Sequence, residues 1–384
     1  MSLDEFIDKR PAQPEDGIGL ALSGGGYRAM VFHVGGLIRL NELGLLRKVK
    51  RISSVSGGSI TAGVLGTSWK DLQFADDVAV NFELVIERIR QLADTTVDAG
   101  AIIGGIFLPG SISDRVAKAY DKVLFKGARL NDLPDDSQPG NPRFVINATN
   151  IQTAALWRFS RNYMGDYRVG LVERPNILLA VAVAASSAFP PVLSPSELDI
   201  EQPVINTPGA DLHKEPYTEK AILSDGGVYD NLGLETITKR YVTLLVSDAG
   251  QKIAPDPDPH RDWARHSLRV LDTVDNQVRS LRKRHLIDSF ERKDHNGTYW
   301  GIRTSFADYK LADDPLKCLG RNPVPLAEIQ TRLEAMPRNV QDRLMNWGYA
   351  ICDAALRAHI DEALQAKLGV KIGLPTKFPF DGGY

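Results

Sequence analysis

The sequence predicts an α/β fold built on a parallel sheet, and two observations near its N-terminal end carry this prediction. A short apolar run, residues 17–23, ends in three glycines, and apolar residues then recur at helical spacing over 27–43. A second short run, residues 50–55, ends in a tight serine–glycine turn, after which a helical pattern resumes over 59–65. The order strand, glycine turn, helix, strand, turn, helix is how a parallel α/β sheet begins.

The remaining elements follow from the same periodicities and from breaking residues. Strands are predicted over 142–150, 154–159, 220–225 and 241–248. Helices are predicted within 79–124 and over 177–187, 266–287, 326–335 and 340–368. Glycine and proline around 249–259 mark the strongest internal boundary. We therefore expect a tail over 1–16, an α/β domain over 17–250 and a mostly helical C-terminal extension over 251–384 that packs on it.

Composition excludes several classes of protein. The 384 residues include 46 basic and 48 acidic side chains, a net charge of −2, which argues against a nucleic acid partner because phosphate neutralisation needs a basic excess. Two cysteines, Cys318 and Cys352, exclude a disulfide framework and a cysteine-rich zinc site. No apolar run approaches the ~20 residues that span a bilayer, and the N-terminal residues lack the apolar run of a signal peptide. We therefore expect a cytoplasmic protein.

A glycine turn between the first strand and the first helix is the first candidate site. Consecutive glycines, Gly24, Gly25 and Gly26, allow backbone N–H groups to point outward at a helix N-terminus, which favours an anion or a developing oxyanion. The spacing from Gly24 to Ala29 also fits the fingerprint of dinucleotide-binding proteins. That alternative needs an acidic residue at the end of the second strand, where serines stand instead, and Glu42 comes too early.

A serine at the next strand-to-helix junction is the second candidate. The run from Ser54 to Gly58 (SVSGG) approximates the nucleophile elbow GxSxG, in which small neighbours permit a strained turn that exposes a serine hydroxyl. Ser56 holds the central position, and Ser54 stands where the first glycine is expected. Ser59 falls inside the predicted helix.

An aspartate in a third glycine turn completes the set. Asp225 ends a predicted strand and is followed by Gly226 and Gly227. The ends of strands are where α/β folds place reactive carboxylates. The same Asp-Gly pair also occurs in plain turns.

Taken together and in this order, these motifs resemble the patatin-like phospholipase family. The run from Ala185 to Pro191 (ASSAFPP) is the counterpart of a fourth motif of that family, and the four motifs cover roughly residues 17–233. The resemblance implies a three-layer α/β/α domain that acts as a lipid acyl hydrolase of the phospholipase A type. It also implies a Ser–Asp dyad of Ser56 and Asp225. The matches to the family's oxyanion segment are Gly24, Gly25, Gly26 and Arg28.

On this interpretation the chain cleaves fatty-acyl esters of membrane lipids and needs no cofactor or metal. Two other classes stay open, a catalytically silent lipid-binding or scaffold protein on the same fold and a nucleotide-binding oxidoreductase that uses the glycine turn. An ordinary Ser-His-Asp triad also remains an alternative to the dyad. Its histidine would be one of His260, His266, His285 and His295.

Two segments suggest peripheral contact with a membrane. Residues 101–108 (AIIGGIFL) form an apolar run that either touches lipid or is a buried helix. Residues 261–293 carry nine basic and five acidic side chains. Their basic cluster at residues 282–284 either meets anionic lipid headgroups or lies on a solvated helix face.

Overall fold

The computed structural model describes residue 11 and residues 13–97 and 112–384. The apolar run 101–108 lies outside the described residues, as do residues 1–10 and 12 of the predicted tail. Within the described part of the chain, no helix has both the length and the apolar character needed to cross a membrane.

The described strands form one large mixed sheet and one small separate hairpin. Those of the large sheet are β1 (Glu15–Leu22), β2 (Val49–Val55), β5 (Arg143–Asn150), β6 (Ala155–Phe159), β7 (Tyr163–Asp166), β8 (Gly170–Glu173), β9 (Ser196–Asp199), β10 (Val204–Ile205), β11 (Lys220–Asp225), β12 (Tyr241–Asp248) and β13 (Asn296–Gly301). The hairpin consists of β3 (Phe74–Ala75) and β4 (Val78–Ala79).

The helices flank this sheet. In chain order they are α1 (Gly26–Glu42), α2 (Gly57–Ser68), α3 (Glu83–Ala93), α4 (Ile112–Tyr120), α5 (Leu179–Ser186), α6 (Gly227–Asp230), α7 (Trp263–Glu291), α8 (Val324–Ala327), α9 (Arg338–His359) and α10 (Glu362–Leu368). Apolar side chains of the central strands and of α1, α2 and α9 share one buried core.

The centre of the sheet is parallel and one side of it is antiparallel. The order is β10-β8-β7-β6-β5-β2-β1-β12-β13, and β11 pairs with both β5 and β9. Strands β5, β2, β1, β12 and β13 run parallel to one another. The pairings from β5 through β6, β7 and β8 to β10, and those of β11, are antiparallel. The α/β fold predicted from the sequence is confirmed.

Two strands meet end to end on one edge of β5. Val55, the last residue of β2, pairs with Asn147 of β5. Asp225, the last residue of β11, pairs with Ala148, the next residue along β5. Because β6 pairs with the other edge of β5 over the same stretch, β2 and β11 share one edge and run toward each other. The residues that follow their ends are therefore brought together.

The region beyond residue 250 contributes to the same sheet and core. Strand β13 pairs in parallel with β12, and α9 lies along α1. The two helices approach closely where Gly35 meets the carbonyl of Met345 and Gly348 meets the carbonyl of Phe32, positions where a Cβ would overlap those oxygens. The C-terminal region is mostly helical, as predicted, and the domain boundary near residue 250 stays a prediction.

The structure differs from the sequence prediction at two helices and one strand. The helix predicted over 326–335 is wrong, because only α8 forms there and the carbonyls that follow it accept hydrogen bonds from the start of α1. The helix predicted over 340–368 is two helices, since the Asp361 side chain accepts from the Leu364 N–H at 2.8 Å and caps a new helix. Strand β13 was missed because its short sequence, NGTYWG, has a glycine near each end.

Candidate active site

Ser56 lies in a sharp turn between β2 and α2. Its φ is 51° and its ψ is −121°, a backbone conformation that residues with side chains rarely adopt. The two following glycines permit this turn, because a Cβ on Gly57 would overlap the carbonyl of Gly26 and one on Gly58 would overlap the carbonyl of Leu22. The strain and the close backbone contacts are those of a nucleophile elbow.

Ser54 stands where that elbow usually has its first glycine, and hydrogen bonds accommodate it. Its hydroxyl accepts from the Ser59 hydroxyl at 3.0 Å and donates to the Val145 carbonyl at 3.4 Å. Both serines are fully buried, whereas Ser56 is 9% exposed. Of these three serines, Ser56 alone is accessible.

A segment that begins at the last residue of α5 holds the backbones of Ser56 and Asp225 together. The Ser186 hydroxyl accepts from the Ser56 N–H at 3.0 Å and donates to the Asn147 carbonyl at 2.6 Å. The N–H of Asp225 donates to the Ala188 carbonyl at 2.9 Å. This segment belongs to the ASSAFPP run. The run signalled the family in the sequence, but its clamping role needed the structure.

The carboxyl group of Asp225 is buried beside the Ser56 hydroxyl. Its Oδ1 accepts from the Gly227 N–H at 2.7 Å, and its Oδ2 has no hydrogen bond of regular geometry among the described residues. Burial raises the pKa of Asp225 to about 7, and the Gly227 N–H and the Ser56 hydroxyl oppose that rise. The weaker repulsion of Asp275, on α7, acts in the same direction as burial. A carboxylate with this pKa can accept a proton near neutral pH.

The glycine turn lies against Ser56. A Cβ on Gly24 would lie 3.2 Å from the Ser56 Cβ. The Gly24 N–H donates to the Asn231 carbonyl at 3.1 Å. The N–H groups of Gly25 and Gly26, at the start of α1, donate no hydrogen bond within the described part of the chain. These two groups are therefore free to stabilise an oxyanion.

Arg28 is fully buried and points toward backbone carbonyls. It donates to Ala327 at 3.1 Å, to Ile329 at 2.6 Å and to Ala249 at 2.7 Å. The Tyr27 N–H adds a bond to the Arg332 carbonyl. Arg28 thus ties the start of α1 to the end of α8, to the non-helical chain after it and to the residue after β12. These bonds stabilise the glycine turn.

No histidine bonds to the Ser–Asp pair within the described structure. His260, His266 and His285 are exposed on or near α7, and His295 lies 2.8 Å from the carbonyl of Thr238. His33 lies beside the start of the glycine turn. Its Nε2 is 2.9 Å from the Ser23 carbonyl oxygen and its Nδ1 is 2.8 Å from the Ser247 hydroxyl oxygen. Burial lowers the pKa of His33 to about 4, so it is neutral and supports the turn.

Within the described residues, no cluster of three or more His, Cys, Asp or Glu side chains could hold a metal ion. The candidate site consists of the serine, the aspartate and backbone N–H groups. This set suits acyl transfer through a covalent serine ester.

Comparisons with known proteins identify a family and a fold. A family model described as patatin-like phospholipase matches residues 20–237. The structure of human GIVD cytosolic phospholipase A2 matches with a TM-score of 0.55 and 14% identity, covering 92% of this chain and 60% of that chain. The same human protein in complex with methyl gamma-linolenyl fluorophosphonate and terbium chloride matches with a TM-score of 0.54 and 15% identity, with the same coverage.

At these identities the likeness to the solved structures concerns the fold. The chain spans 60% of the length of the human structures that it matches. A comparison with curated protein sequences found no match.

Proposed function

The chain belongs to the patatin-like phospholipase family, and from this premise we propose that it cleaves fatty-acyl esters of membrane lipids through a dyad of Ser56 and Asp225. The observation that carries the proposal is the end-to-end meeting of β2 and β11, which puts an elbow serine beside a buried carboxyl group. Family membership supports the lipid substrate. The dyad and the oxyanion hole are our assignment.

In the proposed reaction the Ser56 hydroxyl attacks the ester carbonyl carbon while its proton passes to the Asp225 carboxylate. The oxyanion accepts hydrogen bonds from the N–H groups of Gly25 and Gly26, with Gly24 and Arg28 holding the segment in place. When the tetrahedral intermediate collapses, Asp225 returns the proton to the departing alcohol, and the acyl group stays on Ser56. Water then attacks this acyl ester and gives a proton to Asp225, the fatty acid departs, and the proton returns to the Ser56 oxygen.

Burial lets the carboxylate act without a histidine. An unperturbed aspartate, with a pKa of about 3.9, is too weak a base to accept a serine proton efficiently. Burial raises the pKa of Asp225 to about 7, close to the ~6.5 of an ordinary imidazole. The substrates reside in lipid aggregates, so peripheral contact with a membrane surface is part of the proposal.

Two substitutions and a fluorophosphonate probe test the dyad. We expect Ser56→Ala to abolish both probe labelling and ester hydrolysis. Asp225→Asn should lose nearly as much activity, because the two residues act as one unit and losing either of them removes the function of both. Ser137→Ala, at an exposed serine, is the matched control and should label like the wild type. Labelling that persists in Ser56→Ala would move the nucleophile to Ser54 or Ser59.

The histidines distinguish the dyad from a triad. Single alanine substitutions of His260, His266, His285 and His295 should each leave most of the activity. In a triad, loss of one histidine is as damaging as loss of the serine. A folded but inactive variant of any of the four would contradict the dyad.

A further inference from the structure

The Asn231 side chain lies between the glycine turn and the turn that follows Asp225. A Cβ on Gly24 would overlap the Asn231 Oδ1. A Cβ on Gly227 would lie 2.8 Å from the same oxygen and 2.9 Å from the Asp225 Oδ1. The Cβ position on Gly24 is also 3.2 Å from the Ser56 Cβ. The two glycines therefore leave room for a carboxamide that borders both residues of the proposed dyad.

The backbone around Asn231 holds its side chain in this place. The Asn231 carbonyl accepts from the Gly24 N–H at 3.1 Å. The preceding residue, Asp230, has a buried carboxyl group that accepts from the N–H groups of Leu232 and Glu235, at 3.3 and 2.7 Å. Because the chain is fixed on both sides of Asn231, its carboxamide is positioned before any substrate arrives.

The polar atoms of the Asn231 side chain are uncommitted. They make no hydrogen bond within the part of the chain that the structure describes, and the residue is only partly buried. A carboxamide carries an acceptor oxygen and two donor hydrogens. A side chain held beside the dyad with both kinds of group unpaired can bind a substrate.

The proposed reaction indicates which part of the ester Asn231 contacts. The oxyanion is assigned to the N–H groups of Gly25 and Gly26. The acyl chain is apolar, and leaving a carboxamide unpaired beside it would cost free energy. The departing alcohol oxygen must face Asp225, which returns its proton. Since Asn231 lies against the turn that follows Asp225, its carboxamide is on the side of the alcohol.

We propose that the Asn231 carboxamide binds the alcohol part of the ester and selects alcohols that carry a further oxygen close to the ester, as glycerol does. This inference rests on the proposed function and narrows its substrates to glycerol esters. A hydroxyl or ester oxygen on the neighbouring glycerol carbon can accept from the Asn231 Nδ2, and a hydroxyl can donate to its Oδ1. A simple alcohol offers neither group, and a site that hydrogen-bonds such a group discriminates against the analogue that lacks it.

Two soluble esters of one acid, 1-butyrylglycerol and ethyl butyrate, test this selection without any lipid surface. The variant is Asn231→Leu, which keeps the approximate size of the side chain and removes its polar atoms. We expect its kcat/KM to fall at least roughly tenfold for 1-butyrylglycerol and to stay within about twofold for ethyl butyrate. The reason is that only the glycerol ester loses hydrogen bonds.

Two further variants support the comparison. Asn231→Ala removes the same polar atoms without adding apolar surface, and it should show the same selective loss. Asn206→Leu is the matched control, because Asn206 is exposed and follows β10, the outer strand of the sheet. It should keep the selectivity of the wild type. Thermal midpoints verify that all three variants are folded.

Three results would overturn the inference. One is an equal loss on both esters in the folded Asn231 variants, because the carboxamide would then act on the oxyanion or on the elbow. Another is an unchanged kcat/KM for 1-butyrylglycerol in both Asn231 variants. A third is the same selective loss in Asn206→Leu.

Failure of the proposed function has a separate readout. The wild type would then cleave neither ester, and the inference would fall with it, or Ser56→Ala would still cleave both. Failure of the inference alone leaves cleavage dependent on Ser56, with a selectivity between the two esters that does not depend on Asn231.

Discussion

Burial raises the pKa of Asp225, and this rise lowers the stability of the folded chain at higher pH. Its pKa rises from 3.8 to about 7 in the folded chain, so between these values the folded chain holds a proton that the unfolded chain has released. By linkage, the free energy of unfolding falls as pH rises across this window and is level above it.

Asp225→Asn removes this titration. The variant should therefore gain stability relative to the wild type as pH rises from about 4 to about 7, by at most about 1.4 kcal/mol per pH unit. Urea midpoints of the variant and the wild type at about pH 5 and about pH 8 measure the difference in their stability. We expect the variant's advantage to be larger at the higher pH. A difference that does not change with pH would mean that Asp225 is ionised throughout.

A substitution of Ser186 tests whether this residue must clamp the backbones of Ser56 and Asp225 for turnover. Ser186→Ala leaves the Ser56 N–H and the Asn147 carbonyl without the partner they share, and each unpaired buried group costs about 1–3 kcal/mol. We expect a lower thermal midpoint and a kcat at least roughly tenfold lower, because the elbow geometry loosens. Steady-state kinetics on a soluble ester measure kcat. Wild-type kcat in this variant would show that the clamp is dispensable for turnover.

At the scale of elements, the glycine turn before α1 is predicted to be intolerant of a single methyl group. Gly25 has a φ of 141°, and a Cβ there would lie 2.8 Å from the Ala249 carbonyl. Gly25→Ala should therefore displace one of the proposed oxyanion donors and lower kcat by about 10²–10³-fold. Gly127→Ala is the matched control, since Gly127 also has a positive φ but has no atom within 4 Å of the added Cβ. A folded Gly25→Ala enzyme with normal kcat would remove the turn from the mechanism.

Elements formed by local sequence were predictable, and those formed by distant partners were not. The runs that end in Leu22, Val55 and Asp225 carry their own strand pattern and their own turn glycines. The carbonyls of Ala327 and Ile329 instead accept hydrogen bonds from Arg28, some three hundred residues earlier in the chain, and no local pattern announces that bond. The exposure of apolar side chains on α7 was equally unpredictable from the sequence. Periodicity shows that a helix is amphipathic but not which side of it is covered.

At the scale of the whole molecule, the domain boundary near residue 250 can be tested by ending the chain there. Such a chain loses β13 beside β12 and loses α9, whose apolar residues share the core with α1. We expect it to be insoluble or rapidly degraded by protease at concentrations where the full chain is stable. A cooperative thermal transition in the shortened chain would establish residues 17–250 as an independent domain.

The end-to-end meeting of β2 and β11 has a consequence for the protein during its synthesis. In the proposed dyad, Ser56 leaves the ribosome long before Asp225. The two residues come together only after β5 has formed and β11 has joined its edge. On the proposed mechanism a nascent chain is therefore inactive toward lipid esters until most of the sheet has assembled. The onset of labelling by a fluorophosphonate during refolding would then report when β11, the strand that carries Asp225, pairs with β5.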